Sequence, residues 1–265
     1  MMNADLNYPD FTNATYRKLI QKLSSRWRIL RLCDAAGSPF EANTLILRHD
    51  IDVSPALALP ISKIEHAAGI RSTYFVALHL YYNSHLPIHA EAIRDIAAMG
   101  HEIGFHYDGN LYPHEACAEQ NLALLDRHVQ ILQEICCSPI VSIARHNPSL
   151  ATRSDPLKTS AKYNNAYDDG LFQNTIYISD SCGAWRAAGL KPCWDEPRPD
   201  RIYLLLHAEQ WAERTDIDRM SRFEIMRARA LKEHEMFFDE VRSVWREHAG
   251  GKEHDERLRR SRQAR

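Results

Sequence analysis

Four short apolar runs in this chain each end at a histidine: Leu45-Ile-Leu-Arg-His49-Asp50-Ile-Asp52, Glu102-Ile-Gly-Phe-His106-Tyr-Asp108, Ile140-Val-Ser-Ile-Ala-Arg-His146-Asn147 and Ile202-Tyr-Leu-Leu-Leu-His207-Ala-Glu209. Runs of that length read as strands buried on both faces. Between them lie segments with helical spacing. One is opened by Ser54-Pro55 and stops near Gly69, one covers Pro87 to Met99, and a long amphipathic one covers roughly His114 to Ile135. Strand alternating with helix implies a largely parallel sheet. In a parallel α/β barrel the C-terminal strand ends share one face, where active sites are built. The four run ends are therefore expected to bring His49, Asp50, Asp52, His106, His146 and His207 together.

Imidazoles and carboxylates gathered in this way suit Zn²⁺ or a similar divalent ion. Such an ion lowers the pKa of bound water towards about 7 and polarises a carbonyl oxygen. Asp50 and Asp52 are two residues apart, so both leave an extended strand on the same side. A single histidine at a strand end is usually a hydrogen-bonded structural residue; coincidence at four ends is what argues for a centre. His101 fits the structural role better than a ligand role. Arg48 and Arg145 fit either carboxylate orientation, anion binding or ordinary salt bridges. Trp185, Trp211 and Tyr107 could stack on a sugar ring or fill the core. Asp180 could hold a basic group in the site or cap the following turn.

At Leu47-Arg-His-Asp-Ile-Asp-Val-Ser-Pro55 and Met99-Gly-His-Glu-Ile-Gly-Phe-His106 the chain resembles the polysaccharide deacetylases of the NodB-homology type. Gly69-Ile-Arg-Ser-Thr-Tyr-Phe-Val76, Asp180-Ser-Cys-Gly-Ala-Trp185 and Leu205-Leu-His207 fall where further family motifs belong, so the resemblance runs in order from about Thr44 to Trp211. It implies a distorted parallel (β/α) barrel and hydrolysis of N-acetyl groups on sugars. Carried over by residue, it implies Asp50 as general base, Asp52 and His106 as metal ligands, and His207 as the acid that protonates the leaving amine. Ile51 separates two aspartates that the family places consecutively, which leaves exchange of their roles open. The family's second metal histidine falls on Asn110, and its arginine-proline motif is replaced by Ala144-Arg-His-Asn-Pro148. His146 is then the expected third ligand, with His114 as a lesser alternative. The implied partner is an N-acylated sugar or glycan precursor. A metal hydrolase of another C–N or ester bond, and a non-catalytic carbohydrate-binding relative, are the rival readings.

The 265 residues, 45% hydrophobic and 26% charged, are expected to form a single domain over 1–248, with the motif-bearing core at about 44–211. Its last helix, about 221–248, is expected to pack outside the barrel. The charged stretch 249–265 is expected to be disordered. A net charge of -2 gives no global field for nucleic acid or membrane. With no export leader or membrane-length apolar run in view, the expectation is a cytoplasmic protein with no stable membrane insertion and reduced thiols. Finer expectations are a strand from Trp27 to Leu32, a turn at Gly37-Ser-Pro-Phe40, a kink or break at Pro60, and an irregular loop from Asn147 to Asn174.

Overall fold

In the computed structural model, which describes residues 11–35, 41–113, 115–148, 157, 161–186, 189–193, 195–213 and 218–248, an apolar strand lies at the centre of one parallel sheet. This strand, β2 (Thr44–Ile51), is buried along its whole length. On one edge it pairs with β8 (Arg201–Leu206). Its other edge carries β1 (Arg28–Leu30) against Thr44–Ile46 and β3 (Thr73–Val76) against Arg48–Ile51. Beyond β3 the sheet continues through β4 (Glu102–Tyr107), β5 (Ser142–Arg145) and β6 (Asn164–Asn165), and beyond β8 it ends at β7 (Ile176–Ser179). The strands run in the order β6-β5-β4-β3-β2-β8-β7, and every pairing is parallel. The seven curl into the expected distorted, partial barrel.

The period-two alternation of a strand sorts its side chains onto two faces. Leu45, Leu47 and Ile51 of β2 join Tyr74, Val76, Ile103, Phe105, Leu204 and Leu206 in the outer core. Four helices contribute to that layer: α1 (Asn13–Ser24) with Tyr16 and Leu19, α3 (Pro55–Ala67) with Ile61, α4 (Pro87–Ala98) with Ile93, and α5 (Ala118–Cys136) with Leu125 and Val129. Each fully buried Leu or Ile there contributes roughly 1.5–3 kcal/mol. A second, smaller cluster fills the barrel interior: Ile46, Phe75, Ala144, Ala166 and Tyr203, with Leu32 and Ala35 of the short helix α2 (Leu32–Ala35). Gly104 belongs to this interior, because a Cβ there would overlap the Phe75 ring.

Three sequence expectations change. The strand expected to reach Leu32 stops at Leu30, and a helical turn follows. That turn is favoured because interior groups accept its first N–H donors: Leu32 donates to Thr73 Oγ1 (2.8 Å) and Cys33 to Glu102 Oε2 (3.0 Å). Helix α3 continues unbroken across Pro60. The ring forfeits a single N–H bond near the start of a helix whose Ala58, Ile61 and Glu65 are buried, and that burial outweighs the loss. Within the expected irregular loop lie β6 and a helical turn, α6 (Asp169–Phe172), capped by Asp168 Oδ1 accepting from Gly170 N at 2.8 Å. A polar two-residue edge strand has no periodicity to detect. The Gly37-Ser-Pro-Phe40 turn, His114, the remainder of that loop at 149–156 and 158–160, and the stretch 249–265 lie outside the described residues.

The chain divides after Phe223 into two compact units. The barrel belongs to the first. The second, among the described residues, is the remainder of helix α7 (Arg219–His248).

Candidate metal centre

Inward-facing positions of β2 deliver Asp50 near the top of the barrel, and Asp52 follows just past the strand end. His106 points inward from β4, and His146 follows β5, its N–H donating to Tyr107 O at 2.8 Å. The result is a nearly equilateral triangle. Asp52 Oδ1 lies 3.3 Å from His106 Nε2 and 3.2 Å from His146 Nδ1, and the two nitrogens are 3.2 Å apart. An ion bonded to N and O ligands at about 2.0–2.1 Å with tetrahedral angles separates them by about 3.3–3.4 Å. Asp52 Oδ1, although buried, has no hydrogen-bond donor among the described residues. These three groups thus fit a divalent cation.

A neighbouring bond prepares the His106 ring for that role. His106 Nδ1–H donates to Ala144 O (3.0 Å), which leaves the Nε2 lone pair facing the triangle. His146 Nε2 lies 2.7 Å from the Asn147 side-chain amide, and φ at Asn147 is +45°. The amide nitrogen Nδ2 is the atom facing Nε2; a turned amide, with Oδ1 in its place, would let Nε2–H donate and leave Nδ1 open to the triangle. Burial opposes the charge on Asp52, yet the contacts with His106 and His146 and the field of His207 hold its carboxyl well below the usual range. His146 is raised in turn: burial lowers it, but Asp52 outweighs burial.

His207, at the end of β8, faces the same carboxylate, with Nε2 3.7 Å from Asp52 Oδ2. Its other nitrogen, Nδ1, lies 2.7 Å from Asp180 Oδ1, and its backbone N–H donates to the same oxygen at 3.0 Å. Trp211 Nε1 donates to Asp180 Oδ2 at 3.2 Å. Asp180 is fully buried, and its side chain makes no cap bond to the turn Ser181–Gly183 that it precedes; it holds a basic group instead. Against the opposing effect of burial, Asp180 and then Asp52 push His207 up to about 10.

Asp50 is held differently. Fully buried Arg48 donates from Nη2 to Asp50 Oδ2 (2.9 Å) and to the Tyr167 hydroxyl (2.6 Å), and from Nη1 to the Tyr203 hydroxyl (3.1 Å). Its guanidinium lies 4.6 Å from the Tyr167 ring centre. Asp50 Oδ1 is buried with no hydrogen-bond partner among the described residues. The two aspartates are therefore distinguished: Asp52 meets the imidazoles, and Asp50 meets the arginine.

His49 does not join them. Strand alternation turns it to the outer face, where Nε2 sits 2.7 Å from Glu65 Oε1. Glu65 also accepts from Tyr16, from Ser72 Oγ (2.6 Å) and from Tyr74 (2.8 Å), with His101 Nδ1 at 3.6 Å. Burial raises its carboxyl, but His49 outweighs that and brings it to about 2. His101 spans Ser72 N and Ser62 O, and burial lowers its pKa. Trp211 packs edge-on to Phe11 and Tyr16, Trp185 stacks on Phe11, and Tyr107 packs against Tyr112. Arg145 is buried beneath Gly109 on the outer side of β5. Asn110 is exposed in the 3-10 turn Gly109–Leu111, its N–H donating to Asp108 Oδ1 at 2.9 Å.

One residue at the site escaped sequence reasoning. Glu209 Oε1 accepts from the N–H groups of Asp52 (2.7 Å) and Val53 (3.1 Å). Burial, and then the charge of Asp52, push the Glu209 carboxyl up to about 8. Its only sequence signal was its place two residues after His207.

Among solved structures the chain is similar to the chitin deacetylase from the fungal pathogen Colletotrichum lindemuthianum (TM-score 0.44, 13% identity, 77% of this chain and 86% of that one). It is also similar to a family 4 carbohydrate esterase from Bacillus anthracis (TM-score 0.41, 14% identity, 82% and 86%). A CE4 family pseudoenzyme from the same organism gives TM-score 0.42 and 11% identity over 71% of this chain and 60% of that one. No protein-family model and no curated protein matches the chain. The third group converging with Asp52 and His106 is His146, from the end of β5; Asn110 is exposed in the turn after β4.

Proposed function

We propose that the protein is a metal-dependent hydrolase that removes an N-acetyl or related acyl group from a sugar or glycan precursor. The observation carrying this reading is the triangle of Asp52, His106 and His146, each ligand atom within 3.3 Å of the next, facing the His207–Asp180 pair. Those three residues would hold a divalent cation, and one oxygen with two imidazole nitrogens suits Zn²⁺ best. When bound, such a cation polarises an acyl carbonyl and acidifies water. Asp50, clamped by Arg48 at one oxygen, has its free Oδ1 to accept a proton from the attacking water. His207, kept protonated by Asp180, gives its proton to the departing nitrogen, so that water and amide become carboxylic acid and amine. The sugar enters through the family resemblance of the segments ending at Pro55 and His106.

The test is acetate release from N-acetylated sugars with added Zn²⁺, Co²⁺ or Mn²⁺. Activity undiminished in Asp50→Ala, or after complete chelation, overturns this mechanism. Asn110, at the position of the family's second metal histidine, favours a second reading: a carbohydrate-binding protein without activity. Purified protein unable to take up any of the three metals would decide for it.

A further inference from the structure

The turn His207-Ala-Glu-Gln-Trp211 places three side chains at alternate positions, each with a different task. His207 faces Asp52, Trp211 donates to Asp180, and Glu209 reaches back to the turn after β2. Glu209 is 5% exposed, yet no arginine, lysine or histidine pairs with it in the described contacts. One oxygen takes two successive N–H groups, Asp52 and Val53, while Oε2 is buried without a hydrogen-bond partner. Burying a carboxyl with half its capacity unused is costly. Its neighbours Leu206, Ala208 and Trp211 belong to the outer core.

The two bonds act at one point. Asp52 has left β2, whose last paired residue is Ile51, and precedes Ser54, the residue that opens α3. Without ladder bonds, the peptide planes flanking Asp52 depend on other partners for their orientation. On the carbonyl side of Ile51, the Tyr82 hydroxyl donates at 3.1 Å. On the amide side, Glu209 accepts. Together they fix the backbone from which the Asp52 side chain reaches His106 and His146.

We infer that Glu209 is a positioning residue: it holds the Asp52 backbone so that this carboxylate completes the triangle with His106 and His146, and it ties that position to the turn bearing His207. The inference rests on the metal-centre reading for its purpose, but the hold on Asp52 is measurable in metal-free protein. Glu209→Met keeps the volume and removes both acceptors; Glu209→Gln keeps a carbonyl oxygen for the two N–H groups. In metal-free Glu209→Met, amide hydrogen exchange at Asp52 and Val53 should quicken at least ~10-fold, while amides of Thr44–Ile51 keep their protection. Co²⁺ affinity should fall ~10–100-fold, the range seen when a bond orienting a metal ligand is lost. Glu209→Gln should restore both readouts to near wild type. Unchanged exchange at Asp52 and Val53 in Glu209→Met overturns the inference, and so does loss of protection throughout β2, which would make Glu209 a residue of the fold at large. A wild-type protein that takes up no Co²⁺ overturns the metal reading instead, and the exchange result still decides whether Glu209 holds Asp52.

Discussion

Replacing Asp180 with Asn isolates what its charge does for His207. The amide keeps an oxygen for the His207 N–H and Nδ1–H groups, so the ring stays roughly in place while the buried negative charge disappears. With Asp180 present, His207 sits at about 10, against an ordinary value of 6.5. Once the charge is removed, burial opposes the imidazolium with only the fields of Asp52 and Asp50 left to support it, and the ring falls back towards about 6.5. At pH 8 the protonated fraction then falls from nearly all to roughly 3%, about a 30-fold loss of the acid form; at pH 6 the loss is less than about twofold. Rates of acetate release across pH 5.5 to 10.5 should therefore show an alkaline limb moved down by about 3.5 units, with little change at the acid end. A titration of the His207 ring followed by NMR gives the same answer without turnover. Stability follows the same sign. A raised imidazole stabilises the wild type fully below about 6.5 and loses that contribution as pH rises through about 10. An equal defect at every pH, or an unmoved ring titration, would refute this account of Asp180.

Asp50→Asn should lower acetate release roughly 10²–10⁴-fold and leave Co²⁺ affinity unchanged; a loss of affinity instead would exchange the roles of the two aspartates. His106→Ala and His146→Ala should each weaken Co²⁺ binding by more than the roughly 10–100-fold typical of orienting residues, as read by calorimetry. Glu65→Gln should cost on the order of 3 kcal/mol at pH 7. Glu65 lies at about 2 instead of 4.5, so its contribution is present above pH 4.5 and fades as pH falls towards 2; urea denaturation at pH 7 and pH 3 checks both. Gly104→Ala should destabilise by about 1–3 kcal/mol through displacement of the Phe75 ring, measured as Tm.

The parts of the centre legible in the sequence were those at the ends of short apolar runs. Asp52, His106, His146 and His207 all follow such runs, and parallel strands must end on a common side. His49 was misplaced because run endings were read without parity: Asp50 and Asp52 share a face, and the residue before Asp50 must take the other. Glu209 was illegible for a different reason. Its bonds are to backbone N–H groups, which leave no trace in residue types. The turn of α2 and the strand β6 are set by acceptors and neighbours far along the chain, such as Thr73, Glu102 and Val141, and short windows contain no record of them.

The two lateral strands of the sheet, β6 and β7, share no ladder among the described residues. Side chains close part of that seam: Ala166 O, just past β6, accepts from the Tyr203 hydroxyl of β8 at 3.0 Å and from Arg48 Nη1 of β2 at 3.4 Å. A wall fastened by a hydroxyl and a guanidinium can part while the sheet's backbone bonds stay intact. Arg48, the same guanidinium, also grips Asp50, so any widening of this seam would be felt first by that carboxylate.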